Sequence, residues 1–509
     1  MKPLQVSDYH SSASMSRFLA YQRAFLADAF AGAWQRRAAL GLLLVYVLAA
    51  PFPWGSVQPG PTGTAKITMG AFLLAAVVAL SPGVRLRLGA ARLPVVAVAG
   101  IALLGFFQLV PLPRMLLRAL SPASAEAWGE AGEVLRAFGR TPPSPRISLV
   151  PWETFGVALL SLSWVALFLS ALVLLGRRSS RRLFAGAVVA SGLFQVGFAI
   201  AAEDRILRLH GSFINPNNLA GYLEISLAFA LGLVWYRTRV GLRTLAEAHG
   251  VEERSSRLVR VLPEIVATTL LWAILAAGIV LSQSRGGIVA AAGTTLLLGA
   301  LVFQGGEGAR HARRVVGIAV AVLVALGTSF AIAGAGTVGF LRFLMPDAAD
   351  LAGDYRFLIW RGSAEAFRLF PWLGSGLGTF REAFRRVQPA GIEGLVDQAH
   401  DEYLQLLVTG GLVGAALGLL ALVFGLRALL RAFSSQKHRE ERAWGLAGIG
   451  ALLALLLHGI AEFNFSIPAI PATLATCLGG AWAALGWSRA DENEAPGLSE
   501  SERTGPASG

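Results

Sequence analysis

The residues best suited to chemistry in this chain are a few arginines and one histidine, widely spaced along the sequence. Arg208 precedes the run Gly211-Ser-Phe-Ile-Asn-Pro-Asn-Asn218, with Arg205 just upstream. Arg285 stands within Ser282-Gln-Ser-Arg-Gly-Gly287, Arg356 and Arg361 follow, and His400 comes last. A guanidinium presents a planar set of donors that matches phosphate oxygens two at a time, and it keeps its charge. A neutral imidazole accepts a proton from a hydroxyl near neutral pH. Groups of this kind serve a substrate that arrives already activated, such as a sugar on a lipid-linked pyrophosphate, whose leaving group carries its own charge.

Each position also has a plainer reading. Apolar runs flank Arg285 closely enough to put it at or just below a membrane interface, where a charge is costly and points to function. Snorkelling to head groups is the alternative. The two glycines after it let something approach the backbone closely. Asn215 suits a helix N-cap and Pro216 the first helical position, so the amides around Asn218 could face an anion, or simply begin a helix. Asp397 lies one turn before His400 and could orient the ring or cap the next helix. His458 and Glu462 stand at i, i+4 and are expected to satisfy one another. The alternative is a second polar site.

Several constellations are missing from the sequence. There is no Gly-x-x-x-x-Gly-Lys-Ser/Thr and no Gly-x-Ser-x-Gly, and no His/Asp/Glu cluster has metal-ligand spacing. No metal and no cofactor are expected. The single cysteine, Cys477, excludes an intrachain disulfide.

The elements that must position these residues are helices in a bilayer. Of 509 residues, 55% are apolar and 15% charged, against about 25% charged in a soluble domain. Windows of roughly 20 apolar residues give twelve spans, near 38–53, 64–81, 93–112, 151–175, 183–202, 216–236, 263–281, 286–304, 315–339, 403–426, 443–462 and 467–487. The net charge of +13 would suggest nucleic acid in a soluble protein, but here basic cytoplasmic loops explain it. With the N-terminus inside, the inner segments hold 28 of the 44 Lys and Arg, including Arg177, Arg178, Arg181 and Arg182. Both termini are therefore expected in the cytoplasm.

This topology divides the chain into an N-terminal segment 1–37, spans one to five over 38–202, a core of spans six to ten over 203–426, spans eleven and twelve over 427–488, and a disordered tail 489–509. Two outer loops are long. Residues 113–150 should hold an amphipathic helix starting at Ser121-Pro122. Residues 340–402 carry aromatic and charged residues at helical spacing, including Tyr355, Arg356, Trp360 and Arg361, and should be folded. All the candidate site residues then fall at one membrane face. A transporter or flippase of lipid-linked sugar would place its ionisable site near the midplane, where Glu224 is the main exception to that clustering.

The motifs resemble the O-antigen ligase and polymerase superfamily (Wzy_C type). The resemblance is carried by Arg208-Leu-His-Gly-Ser-Phe-Ile-Asn-Pro-Asn-Asn-Leu-Ala220, Ser282-Gln-Ser-Arg-Gly-Gly287, Arg356-Phe-Leu-Ile-Trp360, Phe370-Pro-Trp-Leu-Gly-Ser-Gly-Leu-Gly-Thr-Phe380, His400-Asp-Glu-Tyr-Leu404 and Gly410-Gly-Leu-Val-Gly414. It spans roughly residues 180–425. Such membership implies an all-α polytopic membrane protein of about twelve helices, GT-C-like, in the bacterial inner membrane, with its site facing the periplasm. It implies a metal-independent, inverting transfer from undecaprenyl pyrophosphate to lipid A–core or to a second lipid-linked glycan. By the same resemblance Arg208 and Arg285 bind the donor pyrophosphate, with Arg356 or Arg361 adding charge, and His400 activates the acceptor. Asp401 stands where the family usually has asparagine. Asp397, Asp401, His458 and Glu462 are possible supporting residues.

Overall fold

The computed structural model describes residues 22–24, 26–28, 30, 33–57, 62–81, 88–202, 208–303 and 356–494. Among the described residues there is no strand. Inside a hydrocarbon layer every backbone amide must be satisfied within the chain, and the helix does this locally. The helices are α1 (Trp34–Ala49), α2 (Thr62–Ala79), α3 (Arg92–Gln108), α4 (Arg114–Leu120), α5 (Pro122–Ala137), α6 (Pro151–Leu174), α7 (Arg178–Ala202) and α8 (Pro216–Ala246). They continue with α9 (Val251–Leu281), α10 (Arg285–Phe303), α11 (Arg356–Leu369), α12 (Phe380–Arg385), α13 (Glu402–Ser435), α14 (Arg439–His458) and α15 (Ala469–Glu494).

The protein is an all-α polytopic membrane protein, and eight of its described helices are long and apolar enough to cross a membrane. Eleven of the twelve apolar windows coincide with a helix. The twelfth, 315–339, lies outside the described residues, as do Arg205, Tyr355, the basic residues of 305–314 and the first part of the 340–402 loop. Two expectations change. The 113–150 segment holds α4 as well as the helix begun by Pro122, and α15 runs to Glu494, so the disordered tail does not begin at 489. Residues 495–509 lie outside the described residues.

Helix α8 is the centre of the bundle. It packs mainly on α9 and α14, and also on α7 and α10, and nearly every side chain from Asn218 to Ala230 is buried. Small residues set these contacts: a Cβ on Gly232 would stand 2.9 Å from the Ala443 carbonyl, and one on Gly450 3.1 Å from Ala228 Cβ. Such close approach lets dispersion hold helices together where no hydrophobic driving force exists. At one end of the bundle, α7 and α14 begin together through Arg178 Nε to Glu441 (2.9 Å) and Arg182 Nε to Glu440 (3.1 Å). At the other end, the starts of α8, α10 and α13 meet the ends of α9 and α14.

Helix α13 is broken about two and a half turns from its start. Gly411 adopts φ 64°, ψ −165°, which only glycine tolerates well. The loop following α11 fills the break: Leu412 N donates to Pro371 O (2.8 Å), Val413 N to Trp372 O (3.1 Å), Ser375 N to Val408 O (3.0 Å) and Gly376 N to Thr409 O (3.1 Å). Gln108, fully buried at the end of α3, clamps the junction. Its Nε2 donates to Leu373 O (2.6 Å) and Thr409 O (3.0 Å), and its Oε1 accepts from Leu377 N (2.9 Å). Irregular backbone at this depth persists because protein groups satisfy it.

Candidate functional site

The N-terminal end of α8 is built as its sequence demands. Asn215 is the N-cap, its Oδ1 accepting from Asn217 N at 2.9 Å, and Pro216 takes the first helical position. Arg208 lies across this helix start. Its Nε donates to Ser282 O at 3.0 Å and its Nη2 to Asn217 Oδ1 at 2.7 Å. The other side of the Asn217 amide donates to Glu462 Oε1, and Arg356 Nη2 donates to that same oxygen. Glu462 has a side chain only 2% exposed, and its second oxygen lies 3.6 Å from His400 Nδ1. One continuous polar chain thus runs from the α9–α10 connection through Arg208, Asn217 and Glu462 to Arg356 and His400.

Arg208 is half-buried, and burial pulls its guanidinium below the usual value. Glu462 offsets this, while Arg356 and Arg285 add to the lowering by repulsion. Arg285 and Arg356 are therefore both near enough to repel the Arg208 guanidinium, with the buried Glu462 carboxylate beside it. An anion bound here would relieve that repulsion.

His400 occupies a left-handed backbone conformation, φ 51°, a strain found at functional sites more often than elsewhere. Its ring stands edge-on to Phe463 with centroids 4.9 Å apart. Asp401 is the N-cap of α13: its Oδ1 accepts from Tyr403 N and Leu404 N, each at 2.9 Å. Burial pushes the Asp401 carboxyl up, while those two amides draw it down. Around His400 the chain is stitched to the turn after α14, through Glu402 N to Gly459 O (2.8 Å) and Phe465 N to the Glu402 carboxylate.

The expected His458–Glu462 pair does not form. Helix α14 ends at His458, so Glu462 falls in the following turn and loses the i, i+4 register. His458 Nδ1 instead lies 2.8 Å from Glu224 Oε1 with both side chains fully buried, and its Nε2 is 3.3 Å from Ser284 Oγ. Glu224, the acidic residue within the bundle, is thereby paired. Asp397 neither orients His400 nor caps α13; it is exposed, 3.4 Å from Arg381. Arg361 is exposed and makes no hydrogen bond or ion pair among the described residues, whereas Arg356 reaches the network. Asn218 is buried and donates to Asn464 Oδ1 at 3.2 Å, tying α8 to the turn after α14.

The backbone at the glycines after Arg285 is closely approached, as their spacing allows. A Cβ on Gly286 would stand 3.0 Å from His458 Cδ2, and one on Gly287 2.7 Å from Ala220 Cβ. The close approach is made by α14 and α8. Sequence reasoning left out the connecting role of Asn217 and the central role of Glu462. The available signal was a carboxylate in an apolar stretch, which needs a partner by default. Among the described residues, no group of three or more His, Cys, Asp or Glu is arranged to hold a metal ion.

Residues 270–419 match the family model described as O-antigen ligase, Wzy_C. Over that segment the chain is similar to the O-antigen ligase family. The matched segment holds Arg285, Arg356, Arg361 and His400, and it is narrower than the 180–425 of the motif resemblance. Arg208 and Glu462 lie outside it. No curated protein matches the chain.

Proposed function

We propose that this protein transfers a glycan from undecaprenyl pyrophosphate to an acceptor hydroxyl at the periplasmic face of the inner membrane. The observation that carries the reading is the convergence of Arg208, Arg285 and Arg356 with His400 at one end of the bundle. Arg208, Arg285 and Arg356, together with the amides at the start of α8, receive the donor pyrophosphate. His400 Nε2 takes the proton of the acceptor hydroxyl as its oxygen attacks the anomeric carbon. The bond to the pyrophosphate breaks, and the electron pair leaves with the lipid. Charge grows on that leaving group in the transition state, so guanidiniums already in place stabilise it more than the ground state. The transfer inverts the anomeric centre and needs no metal. The His400 side chain is 31% exposed, which gives the proton an exit.

Lipid A–core is the acceptor in the ligase reading; a second lipid-linked repeat unit, in a polymerase, would use the same donor chemistry. Reconstituted protein supplied with lipid-linked glycan and lipid A–core decides between them: transfer to core marks a ligase, chain growth without core a polymerase. General-base catalysis contributes about 10²–10⁴-fold, so His400→Ala should lose that much turnover while the protein stays folded. Full activity in this variant would remove His400 from the mechanism. Movement of donor across the bilayer with no glycosidic bond formed would replace transfer by transport.

A further inference from the structure

Two buried atoms of the site face one another without a hydrogen-bond partner: His400 Nδ1 and Glu462 Oε2, 3.6 Å apart. Each loses solvation without compensation, and a movement of about 0.6 Å would bring them to an ordinary N–H···O distance of roughly 3.0 Å. The His400 side chain is 31% exposed although its Nδ1 is buried, so the open part of the ring is the edge away from Glu462. Phe463, the next residue, presses edge-on against the imidazole and limits its rotation. The other oxygen of the same carboxylate accepts from Arg356 and Asn217, and Asn217 in turn accepts from Arg208.

We infer that Glu462 is the positioning carboxylate of the base: Oε2 holds His400 Nδ1–H so that Nε2 faces the acceptor, while Oε1 holds the arginines that meet the donor. One side chain then links the proton-accepting half of the site to the pyrophosphate half. The inference rests on the reading of His400 as general base. Glu462 makes no contact with substrate in this account; it sets the tautomer and direction of the ring and stabilises the imidazolium formed during transfer. When a pyrophosphate draws Arg356 and Asn217 toward itself, the carboxylate loses competing donors and its charge is directed to His400. Donor binding thereby strengthens the base.

Among the described residues, the charged groups of this site are Glu462, Arg356 from α11, Asp401 and Glu402 at the start of α13, His458 at the end of α14, and Arg208 through Asn217. Among these the carboxylate of Glu462 is the one whose oxygen lies within 4 Å of the ring.

The test uses the full-length protein in nanodiscs with lipid-linked donor and acceptor, comparing wild type, Glu462→Gln, Glu462→Asp and His400→Ala. For Glu462→Gln, kcat should fall about 10–100-fold, a part of the general-base contribution. The donor KM should stay level or drop, because Arg356 is released from its ion pair. Glu462→Asp keeps the carboxylate and should restore part of the kcat lost in Glu462→Gln. Wild-type kcat in Glu462→Gln, or a kcat in Glu462→Asp no higher than in Glu462→Gln, beside an inactive His400→Ala, would overturn the inference and leave the base standing. Full activity of His400→Ala would instead remove the base itself. If Glu462→Gln does not fold, Glu462→Asp carries the test; failure of both to give monodisperse protein would make Glu462 a structural acceptor and overturn the proposal.

Discussion

Arg356 and Arg361 share one helix, yet five residues at 100° each leave them about 140° apart around its axis. Only Arg356 reaches Glu462. A hydrogen bond to a charged group contributes about 1.5–3 kcal/mol, so Arg356→Ala should lower transfer at least tenfold, whereas Arg361→Ala should stay within about threefold of wild type. Parallel assays of donor consumption check this, and equal losses in the two variants would dissolve the distinction. The sequence marked both positions and could not choose, because both stand in the same aromatic-rich amphipathic segment. What selects between them is the phase of α11 against the turn after α14, a tertiary fact. Glu462 was marked as a supporting residue but given the wrong partner, for a related reason. Its segment reads as a continuous apolar span, and a four-residue error in the helix end reassigns its partner from His458 to His400, Arg356 and Asn217. The capping roles, by contrast, were legible at Asn215-Pro216, since their chemistry is local.

The element that presents His400 is a broken helix, and the break is held by another element. The Gly410-Gly411 pair lies inside an apolar window that reads as one uninterrupted span, so only the positive φ at Gly411 reveals the interruption. The partner loop was expected to be folded from its aromatic and charged spacing, but its insertion between turns of α13 could not be read from any periodicity. Gln108 is the residue on which this joint depends, with three hydrogen bonds to backbone groups of two segments. Gln108→Leu keeps the volume and removes the clamp. Each buried backbone group left unsatisfied costs about 1–3 kcal/mol. The variant should therefore unfold several degrees lower in detergent, and its transfer activity should fall with the displaced start of α13. Differential scanning fluorimetry on purified protein reads the first effect. An unchanged midpoint would mean that water satisfies the joint as well as Gln108 does.

At the scale of the whole molecule, the sequence reading and the structure agree on the separation of charge between two ends, while the side of the membrane that each end faces still rests on the inside bias of Lys and Arg. Arg178, Arg181 and Arg182 gather with Glu440 and Glu441 where α7 and α14 begin. The arginine–histidine site lies where those helices finish. A lipid-linked donor is delivered to one face only, so transfer as proposed requires the site end to face the periplasm. Thiol labelling reads this directly, and the wild-type background is silent because Cys477, the single cysteine, is fully buried. Phe138, 79% exposed, closes α5 on the site side. Lys437, also exposed, lies in the connection from α13 to α14 at the basic end. In spheroplasts, a membrane-impermeant maleimide should modify the Phe138→Cys variant at once and the Lys437→Cys variant only after the membrane is opened. The opposite pattern would turn the molecule over and place Arg208, Arg285 and His400 against the cytosol, where a periplasmic transfer could not use them.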